Sequence, residues 1–226
     1  MRSESAQKVG CDTSDLIMIH NMFRRLYGEA PGLIRGVTNG DTARSEVVGF
    51  HIEEIVAGLH IHHHGEDVLL WDRLESRAPA CALHVGQMRA QHEAISGLLD
   101  DVNARLPAWR STASAADREE LAAAVEAVAA SLQAHLGQDE EQIAPVAATT
   151  LTQAEWDELA EHGLGAIPRN RLLIQLGAIL DALPADERAA WVRQNLPPLP
   201  RLLWAVLGKR QYANYLRELY GTGRAA

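Results

Sequence analysis

The 226-residue chain has only two cysteines, Cys11 and Cys81, and no Cys-x-x-Cys. Two thiols are too few for a disulfide framework or a four-thiolate zinc site, and they fit a reducing compartment. Excess basic charge is missing as well. Thirty Asp and Glu against 21 Lys and Arg give a formal charge of -9, which works against nonspecific binding to nucleic acid or to an anionic membrane. No apolar run approaches the roughly 18 residues that span a bilayer, and the polar stretch 1–15 lacks the apolar core of a signal peptide. A soluble, cytoplasmic protein that meets small molecules, metals or protein partners is expected. Alternating runs of β-branched or aromatic residues are nearly absent, which leaves little from which to build strands. Neither Glu-x-x-His nor His-Glu-x-x-His occurs; the first absence argues against a ferritin-like dicarboxylate site, the second against a zincin.

What the chain does have is helical periodicity. A first helix is expected over 15–27, with Leu16, His20, Phe23 and Tyr27 on one face, followed by a loop holding Pro31, Gly32, Gly36 and Gly40. A second should run from residue 41 or 42 to about 75. The third should span 80–106, with Val85, Met88, His92, Ile95 and Leu99 facing the core and Pro107 ending it; the fourth should span 114–143, before Pro145. Four long helices with short connections predict an all-α, antiparallel up-down four-helix bundle over 14–147. Residues 148–226 form a helical C-terminal extension: a capping box at Thr152 and Glu155 opens a helix to about His162, and helical stretches follow at 171–183 and 184–195. A break at Pro197, Pro198 and Pro200 precedes 209–220.

Histidines and carboxylates interrupt the apolar stripes in a repeating way. His62 is followed four residues later by Glu66, and His135 by Asp139 and then Glu140. Four residues on a helix is about 40° of rotation and about 6 Å of rise, so each histidine and its acid share a face. Ile52, Ile55, Leu59 and Leu70 flank His62 at the offsets where Val125, Val128, Leu132 and Ile143 flank His135. A carboxylate on such a stripe must be paired, protonated or bound to a cation, since burying it bare costs several kcal/mol. Two intrusions at matching positions suggest one shared site. His62 with Glu66 is preferred over His63 with Asp67, whose offsets Glu53, Val56, His60 and Trp71 make a more polar stripe. His63 and Asp67 stay as alternates, or as groups that orient ligands by hydrogen bonds. The other two helices each supply one inward histidine, His20 and His92. Four histidines and two carboxylates suffice for two divalent metals, and nitrogen and oxygen donors without thiolate suit iron, manganese or zinc. His84 lies about 12 Å along the helix from His92 and falls outside a compact centre. His51, His60 and His64 are read as solvating helix faces or hydrogen-bonding near the ligands, His162 as a surface residue and Tyr27 as core.

Together these residues resemble a hemerythrin-like domain of the His-His-Glu cation-binding kind. The resemblance rests on Ile19-His20-Asn21-Met22-Phe23-Arg24-Arg25, the segment 62–71, Gln91-His92-Glu93 and the segment 135–145, and covers residues 14–147. It implies a bundle around two non-haem iron ions, oxo- or hydroxo-bridged, with manganese or zinc less expected. His20, His62, His92 and His135 would be terminal ligands and Glu66 a bridge. On the fourth helix the bridge would be Asp139, at the four-residue spacing, or Glu140, at the five-residue spacing of oxygen-carrying hemerythrins. Those carriers have His-x-x-x-His on the third helix, where this chain has Met88 in the first position; one missing nitrogen would leave an iron more open. The extension is similar to those of actinobacterial members and suggests no chemistry of its own. The expected function is a di-iron protein reacting with oxygen or peroxide, as a peroxide-decomposing enzyme or a small-molecule oxidase. The alternatives are a non-catalytic oxygen or iron binding or sensing protein, and a zinc-stapled or metal-free structural bundle. Substrate, catalytic residues and oligomeric state stay open at this stage.

Overall fold

The computed structural model describes residues 9–221, so the character read for residues 1–8 and the last five residues of the extension lie outside it. The described residues are helical, with no strand beyond isolated bridges from Val9 and Gly10 to Thr152. Four long helices carry the fold: α1 (Ser14–Arg35), α2 (Thr42–Leu69), α4 (Ala82–Thr112) and α5 (Ala115–Gln138), with the short α3 (Trp71–Arg77) between the second and third of them. Among them α1 packs on α2 and α5, and α4 packs on the same two, so the four close a ring. At one end the connections interlock. Gly40, at φ +82, donates its N–H to Ala113 O; Ser45 Oγ donates to Arg110 O, and Arg118 reaches Val37 O.

Two prolines do not end helices where expected. The loop predicted from Pro31 is helix to Arg35, and α4 runs through Pro107 to Thr112. A proline inside a helix costs about 3 kcal/mol, whereas each large apolar side chain buried contributes about 1.5–3 kcal/mol. Beyond Pro31 the apolar stripe continues through Ile34 to Val37, and beyond Pro107 through Trp109, all fully buried. Asn103 and Pro107 are both exposed, so the carbonyl that loses its helical partner there can turn to water. The second helix stops at Leu69 rather than near 75, because the backbone opens at Leu70 and Trp71 turns inward, its indole donating to Asp67 at 2.7 Å. The fourth passes at Asp139–Ile143 into a π-turn, then continues as α6 (Ala144–Thr150) with Pro145 in its first turn, where a missing N–H costs nothing.

The extension follows the same logic. Thr152 and Glu155 form the expected capping box for α7 (Gln153–Ala166), which packs along α2. The segments α8 (Leu172–Asp181), α9 (Arg188–Asn195) and α11 (Lys209–Tyr220) fall within the expected helical stretches. The expected break falls at residues 196–197, and the proline cluster then starts α10 (Pro198–Leu203), since proline's fixed φ suits a first turn. Helix α8 packs on α1 and α11 on α2, and Ala178, Leu180, Trp204, Tyr212, Leu216 and Leu219 join the apolar cluster of the bundle. No helix among the described residues is long and apolar enough to cross a membrane.

The core is in two parts. One cluster runs from Met22, Leu59, Ile95 and Leu132 to the interlocked end; the other holds Leu16, Leu70, Met88 and Ile143 with Trp71, Trp156 and Ala147. His20, His62, His63, Glu66, His92, His135 and Asp139 fall where the two clusters meet.

Candidate metal centre

That intervening layer contains five imidazoles and two carboxylates. His20, His63, His92, His135, Glu66 and Asp139 are buried, and the His62 side chain is nearly so. Nε2 of all five histidines and all four oxygens of Glu66 and Asp139 are shielded from solvent and have no hydrogen-bond partner. Leaving one such atom unmatched costs roughly 1–3 kcal/mol. Nine of them in one layer is the signature of a site completed by something outside the polypeptide.

The donors fall into two groups. His63, His92 and His135 bring ring nitrogens within 4.8 Å of one another, and His20, His62 and Glu66 do the same. Glu66 stands between them, with Oε1 3.5 Å from His62 Nε2 and Oε2 3.3 Å from His92 Nε2, neither in hydrogen-bond alignment. Asp139 Oδ2 lies 3.6 Å from His20 Nε2. Helical geometry explains how one acid serves two neighbouring histidines. On α2 Glu66 is four residues after His62 and three after His63, which places it angularly between them and one turn on.

Further residues turn the imidazoles. The Nδ1–H of His20 donates to Glu140 Oε1 at 2.9 Å, and Arg24 grips the same carboxylate at 2.7 and 3.0 Å. His92 Nδ1–H donates to Asp67 at 2.8 Å, and His135 Nδ1–H to Gln91 Oε1 at 3.0 Å, while Gln91 donates in turn to Gln138. With Nδ1 carrying the proton, Nε2 presents a lone pair to the interior, the form that binds a metal.

Ionisation agrees with this arrangement. Burial holds His62 at about 4 and His135 at about 3, and His63 well below its ordinary 6.5, so these three stay neutral. His92 goes the other way: burial pushes it down, and the negative charge of Glu66 with the hydrogen bond and charge of Asp67 more than reverse this. Burial alone would raise Glu66, but His62, His92 and His63 hold it below the usual carboxylate range. Asp139 is pushed well up by burial, with Glu66 and Glu140 adding repulsion. Glu140 is held at about 2: burial pushes it up, and the bonds from His20 and Arg24 more than reverse this. Without a cation, the layer has to keep one acid protonated.

Every site residue expected from the sequence lies in or against this layer, but the roles differ. Glu140 and Asp67 face His20 and His92 through Nδ1 rather than the interior. His63 stands among the donors rather than beside them. Its ring stacks on that of His92 at 4.1 Å and meets that of His135 edge-on at 4.9 Å. His63 brings a fifth imidazole into the layer, while Met88 is buried apolar core. The signal was in the sequence as His-His-x-x-Glu. Glu66 lies one helical turn from both His62 and His63, so the two registers share it. His51, read as solvating a helix face, is buried against Tyr215 of α11, a contact no local pattern announces.

A helical ring with a buried two-group set of imidazoles and carboxylates defines a cation-binding class of protein. Residues 12–147 match the Hemerythrin HHE cation binding domain, and the chain belongs to that family. No curated protein and no solved structure matches the chain.

Proposed function

We propose that the chain is a non-haem di-iron protein of up-down bundle topology that reacts with oxygen or peroxide. The observation that carries this reading is the set of nine buried, unpartnered donor atoms in two groups. His63, His92 and His135 would hold one ion, His20 and His62 the other, and Glu66 and Asp139 would be shared. Five imidazoles and two carboxylates suit iron, with manganese or zinc less apt. Two bound irons would supply a paired one-electron change at each metal, a two-electron capacity in all.

The protein's own residues set the conditions for that chemistry. Asp67, Gln91 and Glu140 keep the Nδ1 protons of His92, His135 and His20 in place, so that each ring has one orientation. Apolar clusters on both sides exclude bulk water and strengthen every charge interaction between them. A proton held on Asp139 in the metal-free state leaves as a cation enters, which makes metal uptake release protons.

Turnover, as peroxide decomposition or oxidation of a small molecule, is one outcome of such a centre; oxygen or iron binding or sensing without turnover is the other. The fifth imidazole favours the second more than a four-histidine set would. Metal analysis and an optical spectrum after anaerobic iron loading test the common ground: two irons per chain with near-ultraviolet absorption are expected, and a zinc-filled or metal-refusing protein would overturn the reading. Peroxide consumption compared with free iron and with Glu66→Ala then separates enzyme from binder.

A further inference from the structure

The acidic balance of the chain argues against an anionic surface only where charge is evenly spread, and it is not. The segment 188–217 holds six of the 21 Lys and Arg and none of the 30 Asp and Glu. Elsewhere arginines such as Arg35, Arg77, Arg105 and Arg110 grip carboxylates. Arg193, Lys209, Arg210 and Arg217 are exposed, and among the described residues none of them meets an acid.

The same segment carries an apolar face that nothing covers. Helix α10 runs without a break through a π-turn at Trp204–Gly208 into α11. Leu199, Leu202, Leu203, Val206 and Leu207 are 41–65% exposed, five large apolar side chains within nine residues, whereas the other exposed large apolar residues described stand singly along the chain. Single exposed apolar side chains are ordinary, and a contiguous patch marks a contact surface.

The opposite face is pinned to the bundle, so the leucines cannot turn inward. Trp204, Gly208, Tyr212 and Leu216 are buried, and a Cβ on Gly208 would run into the Trp204 ring, as one on Gly177 of α8 would into the Tyr212 ring. Leu202, Val206 and Arg210 follow one another at four-residue steps, each two residues from a buried position, which points them outward along one stripe. Leu199 and Arg217 extend it at its two ends.

The order of residues along the stripe selects what it meets. It is apolar over 199–207 and basic over 209–217. Two copies stacking these stripes would set like charges together if parallel, and cations on leucines if antiparallel. The exposed apolar residues are all aliphatic, without the aromatic anchors that protein interfaces favour. A bilayer surface suits both halves at once, since its acyl boundary takes aliphatic side chains and its anionic headgroups take lysine and arginine. The apolar half is roughly 12 Å long, so it can lie along a membrane but not cross the roughly 30 Å of hydrocarbon.

We propose that the outward stripe from Leu199 to Arg217 docks on an anionic lipid bilayer, with the leucines and Val206 entering the headgroup boundary and Lys209, Arg210 and Arg217 meeting the lipid charges. The contact is peripheral and does not depend on the metal centre.

The full chain is mixed with vesicles of phosphatidylcholine alone, or of phosphatidylcholine and phosphatidylserine at about three to one, and bound protein is measured by co-sedimentation. At low salt the anionic vesicles should bind at least about tenfold tighter than the neutral ones, and near about 1 M salt, where charges are screened beyond about 3 Å, most of that advantage should go. Leu202→Ser with Val206→Ser should weaken binding to anionic vesicles at least about tenfold, with fold and metal content unchanged because both side chains are exposed. Lys209→Gln with Arg210→Gln should bring anionic vesicles down toward neutral ones, and it decides the matter if the first variant does not fold. Leu164→Ser, equally exposed but on α7, should change nothing. No binding to anionic vesicles, equal binding to both compositions, or undiminished binding by either double variant would overturn the proposal. So would a dimer in sedimentation velocity that Leu202→Ser with Val206→Ser splits, because a second copy would then cover the stripe.

Discussion

The interlocked end of the helices and their histidine layer are built from the same four elements and solve opposite problems. At the interlocked end, Ile34, Val48, Val102, Leu106, Trp109 and Leu121 fill the interior, and Ser45, Asn39 and Arg118 bind backbone groups across the turns. A few turns away the same faces carry five histidines and two acids, whose inward atoms match nothing in the chain. The first region leaves one buried donor, Trp109 Nε1, unmatched; the second leaves nine atoms, which a bound cation would match. The difference teaches that stability and function are separable along the helix axis, because a bundle needs only part of its length to hold its register.

Glu66→Ala should give the largest effect, and on function alone. Removing the shared carboxylate should cost at least one ion per chain, with an affinity loss above about 1000-fold, or about 4 kcal/mol, while metal-free stability holds or rises because a buried charge is gone. Metal content and denaturant melts of the same preparation check both halves; two retained irons would break the comparison. Trp109→Ala should do the converse. It opens a cavity at the interlocked end and should cost about 3–5 kcal/mol of folding stability, with normal metal stoichiometry in the protein that stays folded.

Acid should act on the histidine end. Burial holds His62 at about 4 and His135 at about 3, against 6.5 in the unfolded chain. Below pH 6.5 the unfolded chain therefore binds protons that the folded chain refuses. The stability present above pH 6.5 is lost as pH falls toward 4 and 3, at up to about 1.4 kcal/mol per pH unit for each histidine. Asp139 works in the opposite sense: its raised value favours the folded state at low pH and removes that advantage as pH rises above the ordinary 3.8. Melts of metal-free protein from pH 7 to 4 should show a net decline, and His62→Leu should flatten it. A profile that is level in both proteins would mean that the imidazoles are not buried as described.

How much of this was legible in the sequence depends on which atoms decide it. Stripes such as Ile52, Ile55 and Leu59, or Val125, Val128 and Leu132, are one-dimensional patterns, and all six residues are buried as expected. His20, His62, Glu66, His92 and His135 were readable for the same reason, as polar residues on core faces. Pro31 and Pro107 misled because the energy that carries a helix past a proline comes from Ile34, Val37 and Trp109 meeting other helices. The choice between Asp139 and Glu140 also depends on partners distant in sequence. Glu140 turns out to His20 and Arg24, and only the fold brings these together.

Glu140→Ala should accordingly weaken metal binding about 10–100-fold through the loosened His20 ring, without abolishing it, whereas Asp139→Ala should remove an ion outright. Competition with a chelator ranks the two, and equal losses would show that both acids are ligands.

The smallest effect is expected at Met88, an apolar side chain one turn before His92. If His63 already supplies the fifth imidazole, Met88→His adds a nitrogen the site does not need, and iron affinity and peroxide rate should change less than about tenfold. Removing that nitrogen makes the position matter. His63→Ala should lose affinity sharply, and adding Met88→His to it should restore much of the loss, since histidines four residues apart on a helix reach one ion. Chelator competition and metal content of the three variants decide the point. A large effect of Met88→His alone, with no rescue in the double variant, would mean that the site is one donor short after all and that His63 is packing rather than ligand.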